Sequence, residues 1–136
     1  MVVGEGRMAG RLSGPGVRRL GRVDGARLAA LYAGALAVVL PSWVEGFGLT
    51  PLEGLAHGAP AVVSDLPVLR ERLGADGALY VPPGDAEALA SALHAVATDA
   101  GLRARLLAAG RAATSELSWA RTAQATQAVL AEAAAR

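Results

Sequence analysis

The chain has 136 residues, a net charge of +1, 53% apolar side chains to which alanine contributes heavily, and only 4% aromatics. That length suits one packed core, and the near-neutral charge gives no pull toward nucleic acid or an anionic membrane surface. All 13 basic residues are arginine, which excludes a P-loop lysine and a Schiff-base lysine; the absence of cysteine excludes disulfides, thiolate metal sites and a thiol nucleophile, and fits a cytoplasmic protein.

In chain order, MVV (1–3) reads as a short strand, with no signal peptide because Glu5 and Arg7 interrupt the start. Residues 4–16 are glycine-rich and read as loop, and VRRL (17–20) reads as a further short strand. Asp24 is placed to cap a helix over about 26–33, with Leu28, Leu31 and Tyr32 on one face. LAVVL (36–40) is a continuous apolar run stopped by Pro41, as expected of a strand buried on both faces. The uncharged run from Leu28 to Val44 spans 17 residues, fewer than the roughly 20 a membrane helix needs. A loop leads to a short helix from Pro51 to His57, stopped at Gly58 and Pro60. AVVS (61–64) is the next strand, Pro67 opens a helix ending near Gly74, and ALYV (78–81) is a strand closed by PPGD. Asp85, Asp99 and Ser118 then cap three helices: to about Thr98, to about Ala113, and from Trp119 to the C terminus. Alternating apolar strands and helices predict a doubly wound parallel α/β sheet covered on both faces.

The stretch EGFGLTPLEGLAHGAP (45–60) carries the chemistry. TPLE (50–53) fits a capping box, with Thr50 at N-cap, Pro51 at N1 and Glu53 at N3. The same geometry admits a second reading. A helix that starts after a buried parallel strand offers free N–H groups and a positive dipole end to an anion, at the sheet edge where such folds bind ligands. Gly46 and Gly48 allow close backbone approach. Glu45 and Glu53 would flank that anion, and their natural partners are hydroxyls, so a sugar phosphate or nucleotide sugar fits.

LPSWVEGFGLTPLEGLAHGAPAVVSD (40–65) resembles the donor-site segment of family 4 glycosyltransferases of the GT-B fold, with Glu45 and Glu53 matching E-x7-E. VVGEG (2–6), LGRVD (20–24), LAALYAGALAVVLPS (28–42), ALYVPPGDAEALASAL (78–93) and ELSWARTA (116–123) extend the resemblance over essentially the whole chain. The resemblance implies transfer of a sugar from a nucleoside diphosphate donor to a hydroxyl acceptor, with retained anomeric configuration and no metal or other cofactor. It implies that Glu53 binds the ribose hydroxyls and that Glu45, the catalytic candidate, lies beside the hydroxyls of the transferred sugar. The backbone of Gly46, Phe47, Gly48 and Leu49 would contact the sugar, the amides of Leu49 and Thr50 the diphosphate, and the turn of Arg22, Val23 and Asp24 the base. Gly54 and Thr50 stand where the family often has alanine and proline. Also implied is that the chain starts one βα unit late. The missing parts would be the first strand, a loop arginine and lysine that grip the diphosphate, and the acceptor-binding domain with its histidine and any peripheral membrane contact.

In the family strand order 3-2-1-4-5-6, MVV would be the second strand and LAVVL the fourth, with a gap between them. The isolated chain is then expected to bind donors weakly and to be poorly stable or to self-associate. A GT-B-fold nucleotide-sugar epimerase and a non-catalytic remnant or interaction domain are the alternatives. GEGRMAG (4–10) follows the glycine spacing of a dinucleotide fingerprint but no strong helix follows it. His57 reads as a helix end and His94 as part of a solvated helix face. Trp119 reads as a packing anchor, and Trp43 as surface packing or, alternatively, a sugar-stacking ring.

Overall fold

The computed structural model describes residues 1–5, 13–115 and 117–135. Three parallel strands, β1 (Val38–Leu40), β2 (Ala61–Ser64) and β3 (Ala78–Val81), form a sheet with β2 in the middle. Val38 pairs with Ala61 and Leu40 with Val63, while Ala61 pairs with Ala78 and Ser64 with Val81. All four β2 residues are buried, the apolar run Ala61–Val63 and the polar Ser64 that ends it.

The pleat of β2 divides the core. Ala61 and Val63 point to one face, where Leu52 and Leu55 of α2 (Leu49–Ala56) and Leu69 and Leu73 of α3 (Pro67–Leu73) cover them. Val62 points to the other face with Val81, against Val96 of α4 (Ala86–Thr98) and Leu106 of α5 (Ala100–Ser115). Helix α5 serves both faces, since its Leu107 packs with the first cluster. Its approach is close: a Cβ on Gly110 would lie 2.4 Å from Leu55 Cδ2. Glycine at 54 has a similar cause, because a Cβ there would lie 2.5 Å from Val38 Cγ2 where α2 crosses β1.

Helix α1 (Gly25–Ala33) starts where Asp24 accepts from the Arg27 amide at 2.8 Å, and α4 where Asp85 accepts from Ala88 at 2.8 Å. Asp99 accepts from Leu102 at the start of α5, and Ser118 from Arg121 at the start of α6 (Trp119–Ala134). These four caps agree with the sequence pattern, and the three strands and α3 fall where the apolar runs and Pro67 place them.

Four expectations change. LAVVL yields only three strand residues, and Val39 is 36% exposed. Helix α4 packs mainly over β2 and β3 on the far face, where Ala37 of the run meets the core but Val39 stays partly open. MVV and VRRL contribute one parallel bridge, Val2 to Arg19, separate from the main sheet. Among the described residues the outer edge of β1 therefore has no strand partner. Trp119 is no packing anchor: it is 89% exposed, and α6 buries none of its residues. Finally, α2 begins at Leu49, and its N-cap is Gly48 rather than Thr50. Most of the 4–10 glycine pattern lies outside the described residues. Among the described residues no helix is long and apolar enough to cross a membrane.

Candidate functional site

The loop from Pro41 to Gly48 leaves the carboxyl end of β1 and turns into α2. Gly48 makes the turn with φ 84° and ψ 50°, the left-handed region that side chains avoid. It is also buried, and a Cβ on it would lie 2.4 Å from Leu69 Cδ2. Only glycine satisfies both constraints. No side chain caps this end of α2. With proline at position 51, the amides of Leu49 and Thr50 are the first N–H groups that the helix presents.

The capping box predicted for Thr50 and Glu53 does not form. Because Gly48 starts the helix earlier, Thr50 already lies inside it, and the Glu53 carboxylate turns away from the backbone. Glu53 Oε2 instead accepts a hydrogen bond from the Tyr32 hydroxyl at 3.0 Å, tying α2 to α1. Burial, aided by the Glu53 carboxylate, pushes the Tyr32 phenol up to about 12, so it stays protonated at neutral pH. The His57 ring lies tilted against Tyr32 with centroids 5.7 Å apart, and its Nδ1 sits 2.8 Å from the backbone carbonyl of Glu53. His57 is thus the helix end that the sequence suggests, with an added contact.

On the other side of the helix start, Glu45 is half-buried and its Oε1 accepts from Ser42 Oγ at 2.8 Å. The exposed ring of Phe47 lies under the guanidinium of Arg72, 4.7 Å from centroid to Cζ. Arg72 also reaches Glu71 at 2.9 Å, while its Nε is buried without a hydrogen-bond partner. The neighbouring Arg70 is engaged elsewhere, in a two-pronged pair with Asp65 and over the ring of Tyr80 at 4.2 Å. That pair holds the Asp65 carboxyl below its ordinary range. Trp43 is 72% exposed, and its ring lies against Gly84 in the turn before α4, as the surface-packing reading has it.

The structure therefore brings Glu45, Gly46, Phe47, Gly48, Leu49, Thr50 and Glu53 into one loop-and-helix unit. Arg22, Val23 and Asp24 stand apart, at the far end of α1 from Tyr32, about 12 Å along its axis. Among the described residues no hydrogen bond or ion pair joins them to Glu45 or Glu53. Three residues at the unit escape sequence reasoning. The sequence places Tyr32 only on a helix face with Leu28 and Leu31, and no spacing pattern marks Arg72 or Ser42.

Residues 1–99 match the family model described as glycosyl transferases group 1. The chain belongs to that family. It is similar to the O-antigen chain mannosyltransferase RfbU of Salmonella typhimurium, with 48% identity over 48% of this chain and 18% of that one. It is also similar to the phosphatidyl-myo-inositol mannosyltransferase of Mycobacterium leprae, with 41% identity over 76% of this chain and 28% of that one. Among solved structures, sucrose-phosphate synthase from Thermosynechococcus elongatus superposes with a TM-score of 0.78 at 31% identity, covering 88% of this chain and 30% of that chain. The fold is that of a GT-B glycosyltransferase domain. This group 1 chain spans less than a third of the length of each of these three proteins.

Proposed function

We propose that the chain is the nucleotide-sugar-binding part of a family 4 glycosyltransferase that transfers a hexose to a hydroxyl acceptor with retained anomeric configuration. One observation carries this reading: an uncapped helix start, reached through a left-handed glycine at the carboxyl end of a parallel strand and flanked by two carboxylates. The amides of Leu49 and Thr50 and the helix dipole suit a diphosphate. Carboxylates repel phosphate, so Glu53 and Glu45 suit the hydroxyls on either side of it: Glu53 the ribose and Glu45 the transferred sugar. Arg22 to Asp24, on the far side of α1, would bound the base. Two similar proteins are named mannosyltransferases, which favours a hexose.

In the transfer, the bond from the anomeric carbon to the diphosphate oxygen breaks, a bond to the acceptor oxygen forms, and the acceptor hydroxyl proton passes to the leaving diphosphate or to water. The chain's part is to stabilise the negative charge that grows on the leaving diphosphate. Its own described arginines beside the loop are turned to Asp65, Tyr80, Phe47 and Glu71. The family resemblance puts the arginine and lysine that grip the diphosphate in the donor domain's own first βα unit and the acceptor site in a separate domain, and the chain alone would bind donors weakly without turning them over. Charge-assisted hydrogen bonds are worth about 1.5–3 kcal/mol each, so two such contacts to the diphosphate change binding by roughly 10²–10⁴-fold. The cysteine-free composition suits a cytoplasmic setting.

Calorimetry against UDP-, GDP- and ADP-sugars tests the reading. Binding of one of them at millimolar concentration, weakened by Glu53→Gln with an unchanged melting temperature, is expected. No binding of any donor, or equal binding by Glu53→Gln, would return Glu53 to a purely structural role.

A further inference from the structure

An exposed glutamate on a helix samples many rotamers, yet Glu53 is held by groups from outside its own turn. Tyr32, 21 residues earlier and on a different helix, donates to Oε2 at 3.0 Å. The Tyr32 ring is half-buried and backed by the His57 ring at 5.7 Å, and His57 is itself anchored at 2.8 Å to the Glu53 carbonyl. The three residues form a closed arrangement that links the last turn of α1 to both ends of the Glu53 residue. A carboxylate is acceptor-only and has about four lone-pair sites. One of them takes the phenol proton. Oε1 has no hydrogen-bond partner among the described residues, and Oε2 keeps a second lone pair. A vicinal diol presents two donors at that spacing.

We propose that Tyr32 is a positioning residue: by donating to Oε2 it fixes the Glu53 carboxylate in the orientation that accepts a ribose diol. The inference rests on the assignment of Glu53 to the ribose and deepens it. Tyr32 touches no substrate. It removes the rotamer freedom that Glu53 would otherwise lose on binding, which raises affinity without adding a contact. Because the phenol remains protonated well above neutral pH, the donor is present under all physiological conditions.

The test pairs Tyr32→Phe with a change in the ligand. UDP, GDP and ADP, and the 2′,3′-dideoxy form of each, are titrated into the wild-type chain and into Tyr32→Phe by ligand-observed NMR. Melting curves establish that both proteins are folded. With the nucleotide that binds, Tyr32→Phe is expected to weaken affinity by roughly twofold to tenfold, the size of one hydrogen bond. The wild-type and variant chains should bind the dideoxy form equally, because the diol through which Tyr32 acts is gone. Equal affinity of wild type and Tyr32→Phe for the ribose form overturns the positioning role alone. An equal loss with both forms overturns it too, because Tyr32 would then act on the fold rather than through Glu53. If no nucleotide binds the wild-type chain, the donor-site assignment falls and the positioning role falls with it.

Discussion

Helices α2 and α4 both begin after a strand of the same parallel sheet, and both are reached through a glycine with positive φ, 84° at Gly48 and 80° at Gly84. They differ in what meets their first amides. At α4, Asp85 folds back onto the Ala88 amide and closes the end. At α2 no side chain closes it, although Thr50 and Glu53 are residue types suited to the task. One end is complete in itself; the other is left open between two carboxylates. With glycine at the N-cap, the missing side-chain cap costs only about a few tenths of a kcal/mol. The open start beside Glu45 and Glu53 is the feature on which the proposed donor site rests.

The largest expected effect is at the two glycines. Gly48→Ala must both adopt the left-handed conformation and push a methyl group against Leu69, which is fully buried. A loss of about 2–5 kcal/mol of unfolding free energy is expected from urea denaturation. At Gly84 the nearest atoms belong to the exposed Trp43 ring, which swings aside, so Gly84→Ala should lose only about 1–2 kcal/mol. Equal losses would mean that the α2 turn is no more constrained than the α4 turn.

The caps come next. Asp85→Ala should cost about 1 kcal/mol, and Thr50→Ala less than about 0.5 kcal/mol, because Thr50 caps nothing. A loss at Thr50 matching that at Asp85 would restore the capping box and erase the difference between the two helices. Comparable in size to the Asp85 cap at most is the contact of Arg72 with Phe47, an exposed cation–π pair worth about 0.5–1 kcal/mol. A double-mutant cycle of Arg72→Leu and Phe47→Leu reads that coupling directly.

Alkaline titration separates the two regions in another way. Tyr32 is raised in the folded chain, so its protonated form favours folding. Its contribution is complete below the ordinary phenol value of 10 and is lost as pH rises from there through about 12. Thermal melts of wild type should fall more steeply across that window than those of Tyr32→Phe. Parallel curves would show that Tyr32 titrates alike in the folded and unfolded chain.

Much of the fold was readable because it rests on local chemistry. Val62 and Val63 in an unbroken apolar run, Pro67 at a helix start, and aspartates at positions 24, 85 and 99 each act on their own neighbourhood. The errors lie where distant residues decide. Val39 looks like its buried neighbours, but its exposure depends on how far α4 reaches across the sheet. Trp119 looks like an anchor, but nothing described packs on it. TPLE has the letters of a capping box, yet the φ of Gly48 moves the helix start and sends Glu53 to Tyr32, 21 residues away. The E-x7-E spacing was legible as a motif. Its supports, Ser42 under Glu45 and Tyr32 beside Glu53, come from positions that no spacing rule reaches.

The central claim is that the open start of α2 holds a nucleoside diphosphate and the closed start of α4 does not. Backbone amide NMR of the labelled chain, titrated with UDP, GDP and ADP, tests it most directly. The account predicts that one nucleotide moves the amide signals of Gly46 to Thr50 and leaves those of Asp85 to Ala88 in place. Signals that move at α4 instead, or at neither helix up to millimolar nucleotide, would contradict it.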